Sequence, residues 1–319
     1  MAFARFRRYI FAVMAFSFTK LHGCGNDYLF VDCTNGSTLP GSAEIPAITR
    51  YVSDRHTGVG SDGVILICPD AAADFRMEMY NADGSRGIMC GNGIRSLAKY
   101  VYDHGLTAKK SLRVATDCGV KKLDLEIEGG RVSRVRVEMG QAILEGRKIP
   151  VDADGVVINE PFEAAGRSWN ITCVSMGNPH CVTFDVDPDT IEIERIGPKF
   201  DFHPFFPERV NTEFVRVDTP TELTMRVWER GSGETFACGT GACAALVAGV
   251  LTGRTERRGI VHLRGGDLEI EYQDDGNVVM TGPTVEVFSA TIEIPPGIQS
   301  TSASSRSARP DALRPGLTA

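Results

Sequence analysis

Apolar and polar residues alternate along much of this chain with a period of two, the mark of strands with one buried face. Phe75, Met77 and Met79 alternate with Arg76, Glu78 and Tyr80, and Leu223, Met225 and Val227 alternate with Thr224, Arg226 and Trp228. Further strand-like runs cover 28–32, 64–67, 123–127, 132–139, 181–184, 212–217, 268–272 and 285–294. The helical period appears in few places. Ile94, Leu97, Ala98 and Val101 fall at i, i+3, i+4 and i+7, and Ala242, Ala245 and Leu246 take the matching places further on. Residues 45–54 form the other helix candidate of the first half. Many strands with one central helix per half predict an α+β chain, not an alternating βαβ order.

An internal repeat organises these elements. Residues 75–101 (FRMEMYNADGSRGIMCGNGIRSLAKYV) and 223–249 (LTMRVWERGSGETFACGTGACAALVAG) align without a gap at an offset of 148 (238 − 90). Each copy reads strand, Gly-containing loop, Cys-Gly-x-Gly, helix. Gly25-Asn26-Asp27 and Gly177-Asn178-Pro179 give a weaker echo, each before a strand. Two copies of one unit predict two similar halves related by a pseudo-twofold.

The chain has 319 residues, which suggests about two domains of ~150 residues. Hydrophobic residues make up 42%, enough for a full core. A net charge of −7 with no basic stripe argues against a nucleic-acid partner. No apolar run approaches the ~18 residues of a membrane span. Nine cysteines, an odd count on a long chain, predict free thiols in a reducing, cytoplasmic setting. Residues 1–15 carry Arg5, Arg7 and Arg8 before a short apolar stretch with no cleavage site after it, and read as an N-terminal extension. Whether Met1 or Met14 is the start is left open. Residues 297–319, rich in Ser, Arg and Pro, read as a disordered tail, so the folded unit is expected at 16–296. Gly58-Val-Gly60-Ser-Asp-Gly63 fits G-x-G-x-x-G, with Asp83 20 residues on. It leads into a strand, whereas a dinucleotide loop opens a helix, so it reads as a tight turn.

The repeat also carries the candidate chemistry. Cys90 and Cys238 each sit at a helix start, where free N–H groups and the positive dipole end favour an anion. That setting is expected to lower a thiol pKa. The same N–H groups suit a ligand carboxylate, and Gly91, Gly93, Gly239 and Gly241 allow close approach. Two opposed acid–base groups fit inversion of a stereocentre: one thiolate takes a proton and the opposite thiol returns one to the other face. Cys238-x4-Cys243, with His180 and Cys181, has a zinc-like spacing. Cys90 has no matching neighbour, so no metal is expected. No lysine lies in either Cys-Gly-x-Gly loop to hold pyridoxal phosphate, so no cofactor is expected.

HGCGNDYLFVD (22–32), the two repeats, SMGNPHCVTF (175–184), FPERVNTEFV (206–215) and WERGSGETFACGTGACAA (228–245) closely resemble the diaminopimelate epimerase family, in the right order over roughly 16–294. The resemblance implies a cofactor-independent epimerase that converts LL-2,6-diaminopimelate to the meso form, for lysine and peptidoglycan synthesis. It implies two α/β halves, each a curved mixed sheet round one long helix, with the site in the cleft between them. The halves would be 16–134, with a return strand at 284–296, and 135–283. Cys90 and Cys238 would be the acid–base pair. Gly91, Asn92, Gly239 and Thr240 would hold the carboxylate through their N–H groups. Asn26, Asn81, Asn178, Asn211, Glu229 and Arg230 would contact the rest of the substrate, and His180 and Glu229 would tune the thiols. Some members place a glutamine ligand where this chain has Gly63, and Ser61 or a water is expected in its stead. The oligomeric state is left open, a homodimer included.

Taken singly, these ligands have ordinary readings: Asn26 and Asn178 as turn residues, Asn211 as a strand end, His180 as a structural histidine, Glu229 and Arg230 as a solvated pair. Their joint occurrence beside the repeated Cys loops points to function. Two alternatives remain: a two-cysteine proline or hydroxyproline racemase, which typically has histidine where Asn92 stands, and a non-catalytic amino-acid-binding module of the same fold.

Overall fold

The structure, a computed structural model, describes residues 14–35, 44–295 and 298. Nearly all of the expected N-terminal extension and of the 297–319 tail lies outside these residues. The first strand, Met14–Gly23, already includes Met14 and Ala15.

The repeat read from the sequence is repeated in space. Calling the helices α1 (Ile45–Ser53), α2 (Gly91–Asp103), α3 (Ile193–Asp201) and α4 (Gly239–Leu251), the two central ones, α2 and α4, have the same length and the same offset of 148 (239 − 91). In the first half, a hairpin (Met14–Gly23, Asn26–Asp32) leads through α1 to Gly63–Cys68, parallel to Asn26–Asp32. The second half repeats this with Arg167–Ser175, Pro179–Thr183, α3 and Asn211–Thr219. Antiparallel strands Phe75–Asn81 and Glu222–Glu229 then lead to the central helices.

All the strands join one curved sheet, mixed in direction. The joint between halves is the antiparallel pair of Arg131–Gln141 with Asn277–Pro283, and residue 134 lies inside the first of these strands. The final strand, Val285–Ile294, pairs antiparallel with Met14–Gly23. The architecture is α+β: two pseudo-symmetric halves, each wrapping its share of the sheet round one helix.

Burial explains the helices. Ile94, Leu97, Ala98 and Val101 of α2 are fully buried, and α4 is buried on every side from Gly241 to Gly249, which suits its run of Ala, Val and Leu. Helix α1 starts with Pro46 in its first turn and packs Ile45, Ile48 and Val52 on the outer face of the first sheet. Helix α3, not foreseen, covers the equivalent face of the second half with Ile193 and Phe200. Gly197 and Pro198 inside it broke the pattern a sequence reader looks for. A Cβ on Gly197 would meet the Trp228 ring at 2.4 Å, so close packing demands that glycine.

Candidate active site

Each candidate cysteine caps a central helix in the same way. Cys90 (φ −132°) accepts the Gly93 N–H at 3.4 Å, and Cys238 (φ −118°) accepts the Gly241 N–H at 3.4 Å. Sulfur thus takes the place that a hydroxyl or carboxylate oxygen takes at most helix starts. The two loops touch a common floor. A Cβ on Gly91 would lie 3.0 Å from Met280 Cε, and one on Gly239 would lie 3.0 Å from Met280 Sδ. Asn92 Nδ2 donates to the Ala237 carbonyl at 3.4 Å, one residue before Cys238.

Around Cys90 the partners come from the first hairpin. Its thiol donates to Asn26 Oδ1 at 3.2 Å, and Asn92 Nδ2 donates to the same oxygen at 3.3 Å. Asn26 is itself oriented, because its Nδ2 donates to Asp62 Oδ2 at 2.6 Å. Arg55 Nη2 holds the other Asp62 oxygen at 2.8 Å. The Tyr28 hydroxyl lies beside the thiol as well. Burial pushes Cys90 above its ordinary value, against the pull of the Gly93 N–H, Tyr28 and the Asn92 N–H.

Around Cys238 the partners are acidic. Glu229 is raised by burial, against the pull of the Thr235 Oγ1 hydrogen bond it accepts at 2.5 Å and then of His180. His180 is fully buried, with Nδ1 2.7 Å from Glu213 Oε1 and Nε2 3.1 Å from Asn178 Oδ1. Glu213 is fully buried too, and its second oxygen has no hydrogen-bond partner among the described residues. Burial, then Glu229 and Glu213, push Cys238 well above its ordinary value. The lowering expected at helix starts is therefore outweighed by burial at both thiols, and at Cys238 by Glu229 and Glu213 as well; the sequence displays the helix dipole but not the burial.

The other expected ligands are distributed as follows. Asn211 is buried and accepts the Arg230 N–H at 2.9 Å, while Arg230 Nη1 donates to the Glu208 carbonyl at 3.0 Å and stays exposed. Asn81 ends its strand opposite Gly63 and donates to Ser85 Oγ at 3.0 Å. Gly63 has no room for a side chain, because a Cβ there would sit 2.0 Å from the Tyr80 carbonyl oxygen. Ser61 does not stand in for the missing glutamine. It is buried, with its hydroxyl bound to Ser53 Oγ and the Gly63 carbonyl, each at 3.0 Å. Asp62, between them, reaches the site through Asn26. Cys243 is buried in the core and Cys181 faces Cys173 across a strand pair, so the zinc-like spacing gathers no ligand set. Among the described residues no three metal-ligating side chains converge.

Tyr28, Asp62 and Glu213 escaped the sequence reading. The one available signal was Glu213 inside an apolar strand run, where an acid needs a reason to be.

The family profile described as diaminopimelate epimerase matches residues 18–145 and 172–287. A protein named diaminopimelate epimerase from Agathobacter rectalis is 54% identical over 287 residues, covering 87% of this chain and 99% of its own. Another of that name, from Acetivibrio thermocellus, is 50% identical over 279 residues, covering 87% and 98%. Among solved structures, a PhzF-family phenazine biosynthesis protein from Bacillus anthracis matches with a TM-score of 0.64 at 14% identity, over 88% of this chain and 100% of that one. A hydroxyproline epimerase from Agrobacterium vitis matches at 0.63 and 13%, over 89% and 94%. Those two show the fold. With a profile match across both halves and at least half of the aligned residues identical to named relatives, the chain belongs to the diaminopimelate epimerase family.

Proposed function

We propose that this chain interconverts LL- and meso-2,6-diaminopimelate by two-base proton transfer between Cys90 and Cys238, without a cofactor. The observation that carries the reading is the pair of thiols capping two equal, symmetry-related helices over a shared floor. A thiolate on one side takes the α-proton, the Cα–H bond breaks, and its electron pair spreads into the carboxylate. The opposite thiol then gives its proton to the other face of Cα and is left as the thiolate. The first N–H groups of each helix, at Gly91, Asn92, Gly239 and Thr240, hold that carboxylate, since they have no acceptor within the helix. Asn26, Asn81, Asn178, Asn211, Glu229 and Arg230 bind the rest of the substrate. His180 and Glu229 tune Cys238. Glu229 and Glu213 stand beside Cys238, so Cys90 is the thiol that ionises first.

We propose further that residues 16–134 with the return segment 284–296, whose described strand is Val285–Ile294, and residues 135–283, work as the two lobes around the cleft. The setting is the cytoplasm, where all nine cysteines stay as the free thiols found here. The assembly to test is a homodimer, because Val285, Val287 and Phe288 are exposed on a strand that, among the described residues, is paired along one edge only. No helix among the described residues is long and apolar enough to cross a membrane.

The test is α-proton exchange and isomer conversion in deuterated water with LL-diaminopimelate, L-proline and trans-4-hydroxy-L-proline. Conversion of diaminopimelate alone, with no added cofactor, supports the reading. Exchange of a proline and not of diaminopimelate overturns it in favour of a racemase, and exchange of none leaves a binding module.

A further inference from the structure

One charged side chain near the site has no role in the mechanism above. Arg95, in α2, is fully buried and makes no ion pair among the described residues. Its contacts are the Gly91 carbonyl (3.0 Å), Asn92 Oδ1 (2.8 Å), the Pro283 carbonyl (3.4 Å), Met280 Sδ (3.7 Å) and Cys24 Sγ (3.9 Å). None is a carboxylate. The space is kept open for it: a Cβ on Gly23 would stand 2.8 Å from Nη2, and one on Gly282 would stand 3.0 Å from Nε.

We propose that Arg95 is a positioning residue of this site, an unpaired buried cation behind both Cys-Gly-x-Gly loops that stabilises the charge proton removal adds to the substrate carboxylate. This rests on the epimerase reading. Without a cofactor to absorb it, the electron pair of the broken Cα–H bond spreads into a carboxylate that is already an anion. A fixed positive charge in a dry place acts most strongly on such a developing charge. Arg95 stands one layer behind the expected carboxylate position. It touches Met280, which floors Gly91 and Gly239, and Asn92, whose Oδ1 lies 3.9 Å from the Cβ position of Gly239.

The repeat makes the placement telling. The α4 position equivalent to Arg95 is Cys243 (95 + 148), so one cation serves both loops. The titratable groups that face it are Cys24 from the hairpin turn, Cys90 from the cap of its own helix and Cys243 from α4; burial pushes the guanidinium itself down, from an ordinary value so high that it keeps its charge. Burial pushes Cys24 up, with Asp267 adding to it, and pushes Cys243 up to about 12. Neither supplies an anion at neutral pH. Cys90 supplies one while it is the thiolate base, and once it has taken the α-proton the added charge lies on the substrate carboxylate. A buried charge without a partner is costly, so the fold holds Arg95 in readiness for one.

The experiment measures kcat and KM for diaminopimelate in wild type, Arg95→Met, Arg95→Gln and Arg95→Lys. The expected result is a kcat loss of about 100-fold in the Met and Gln variants with a much smaller change in KM. Lys should recover most of kcat. Where Arg95→Met does not fold, the Lys and Gln pair carries the same comparison. Equal losses in the Lys, Gln and Met variants, or losses confined to KM, overturn the role of Arg95 alone. Wild-type protein that does not convert diaminopimelate removes the epimerase reading and this role together.

Discussion

At the scale of single residues, the two thiols are equivalent in backbone and different in surroundings. Cys90 faces amides and a phenol, and Cys238 faces two carboxylates. The sign of the pH dependence follows. Burial raises both thiols, so protonated cysteines prevail in the free enzyme near neutrality. The rate kcat/KM should climb with pH as Cys90 ionises, then fall once Cys238 loses the proton it must donate. Glu213→Gln removes an anion beside Cys238 and so makes that thiol easier to ionise. Its pH–rate profile should keep the rising limb and show the falling limb at lower pH; a falling limb that stays put or moves up contradicts the assignment. Cys90 and Cys238 were legible in the sequence because a repeat displays them at matching places. Glu213, Tyr28 and Asp62 were not, because their meaning lies in what folds against them. The same holds for Ser61, whose hydroxyl is spent on Ser53 and Gly63.

At the scale of elements, the helix starts set how tightly each loop is built. A Cβ on Gly93 would meet Ile65 Cδ1 at 2.5 Å, the free end of a flexible side chain. A Cβ on Gly241 would meet Glu213 Oε1 at 2.6 Å, and that carboxylate is fixed by His180. Gly241→Ala should therefore destabilise by about 1–3 kcal/mol and displace the His180 pair, while Gly93→Ala should cost clearly less. Denaturant midpoints of the two variants check this, and equal shifts count against it. Helices α1, α2 and α4 were visible in the sequence as apolar period, and α3 was hidden by Gly197 and Pro198. The turn at Cys24-Gly25 was visible only through its glycine. Both residues have positive φ (53° and 81°), the two-residue turn whose twist matches a hairpin, and it delivers Asn26 to Cys90.

At the scale of the whole molecule, two wrapped helices meet at their N-terminal ends, and the sheet runs unbroken from one half to the other. Strand Val285–Ile294 belongs by sequence to the end of the chain and by pairing to its beginning. It also sets Phe288 edge-on against Phe18, with ring centroids 5.9 Å apart. Ending the chain before Val285 should strip the Met14–Gly23 strand of one of its two partners, the only one its first five residues have among the described residues, and abolish cooperative folding, which thermal unfolding would report; a truncated chain that melts like the full one refutes that dependence. The symmetric halves were legible from the 148-residue offset, whereas the crossing of the last strand was implied only by family resemblance, since nothing local to the strand names its partner. The central claim is that two thiols act on opposite faces of one carbon. Deuterium exchange at the α-carbon of LL- and meso-diaminopimelate, in Cys90→Ala and Cys238→Ala separately, tests it most directly. Neither variant should invert the centre, and each should retain slow exchange on one isomer only, a different isomer for each variant. Inversion near the wild-type rate in either variant, or exchange of the same isomer in both, would contradict the two-base account.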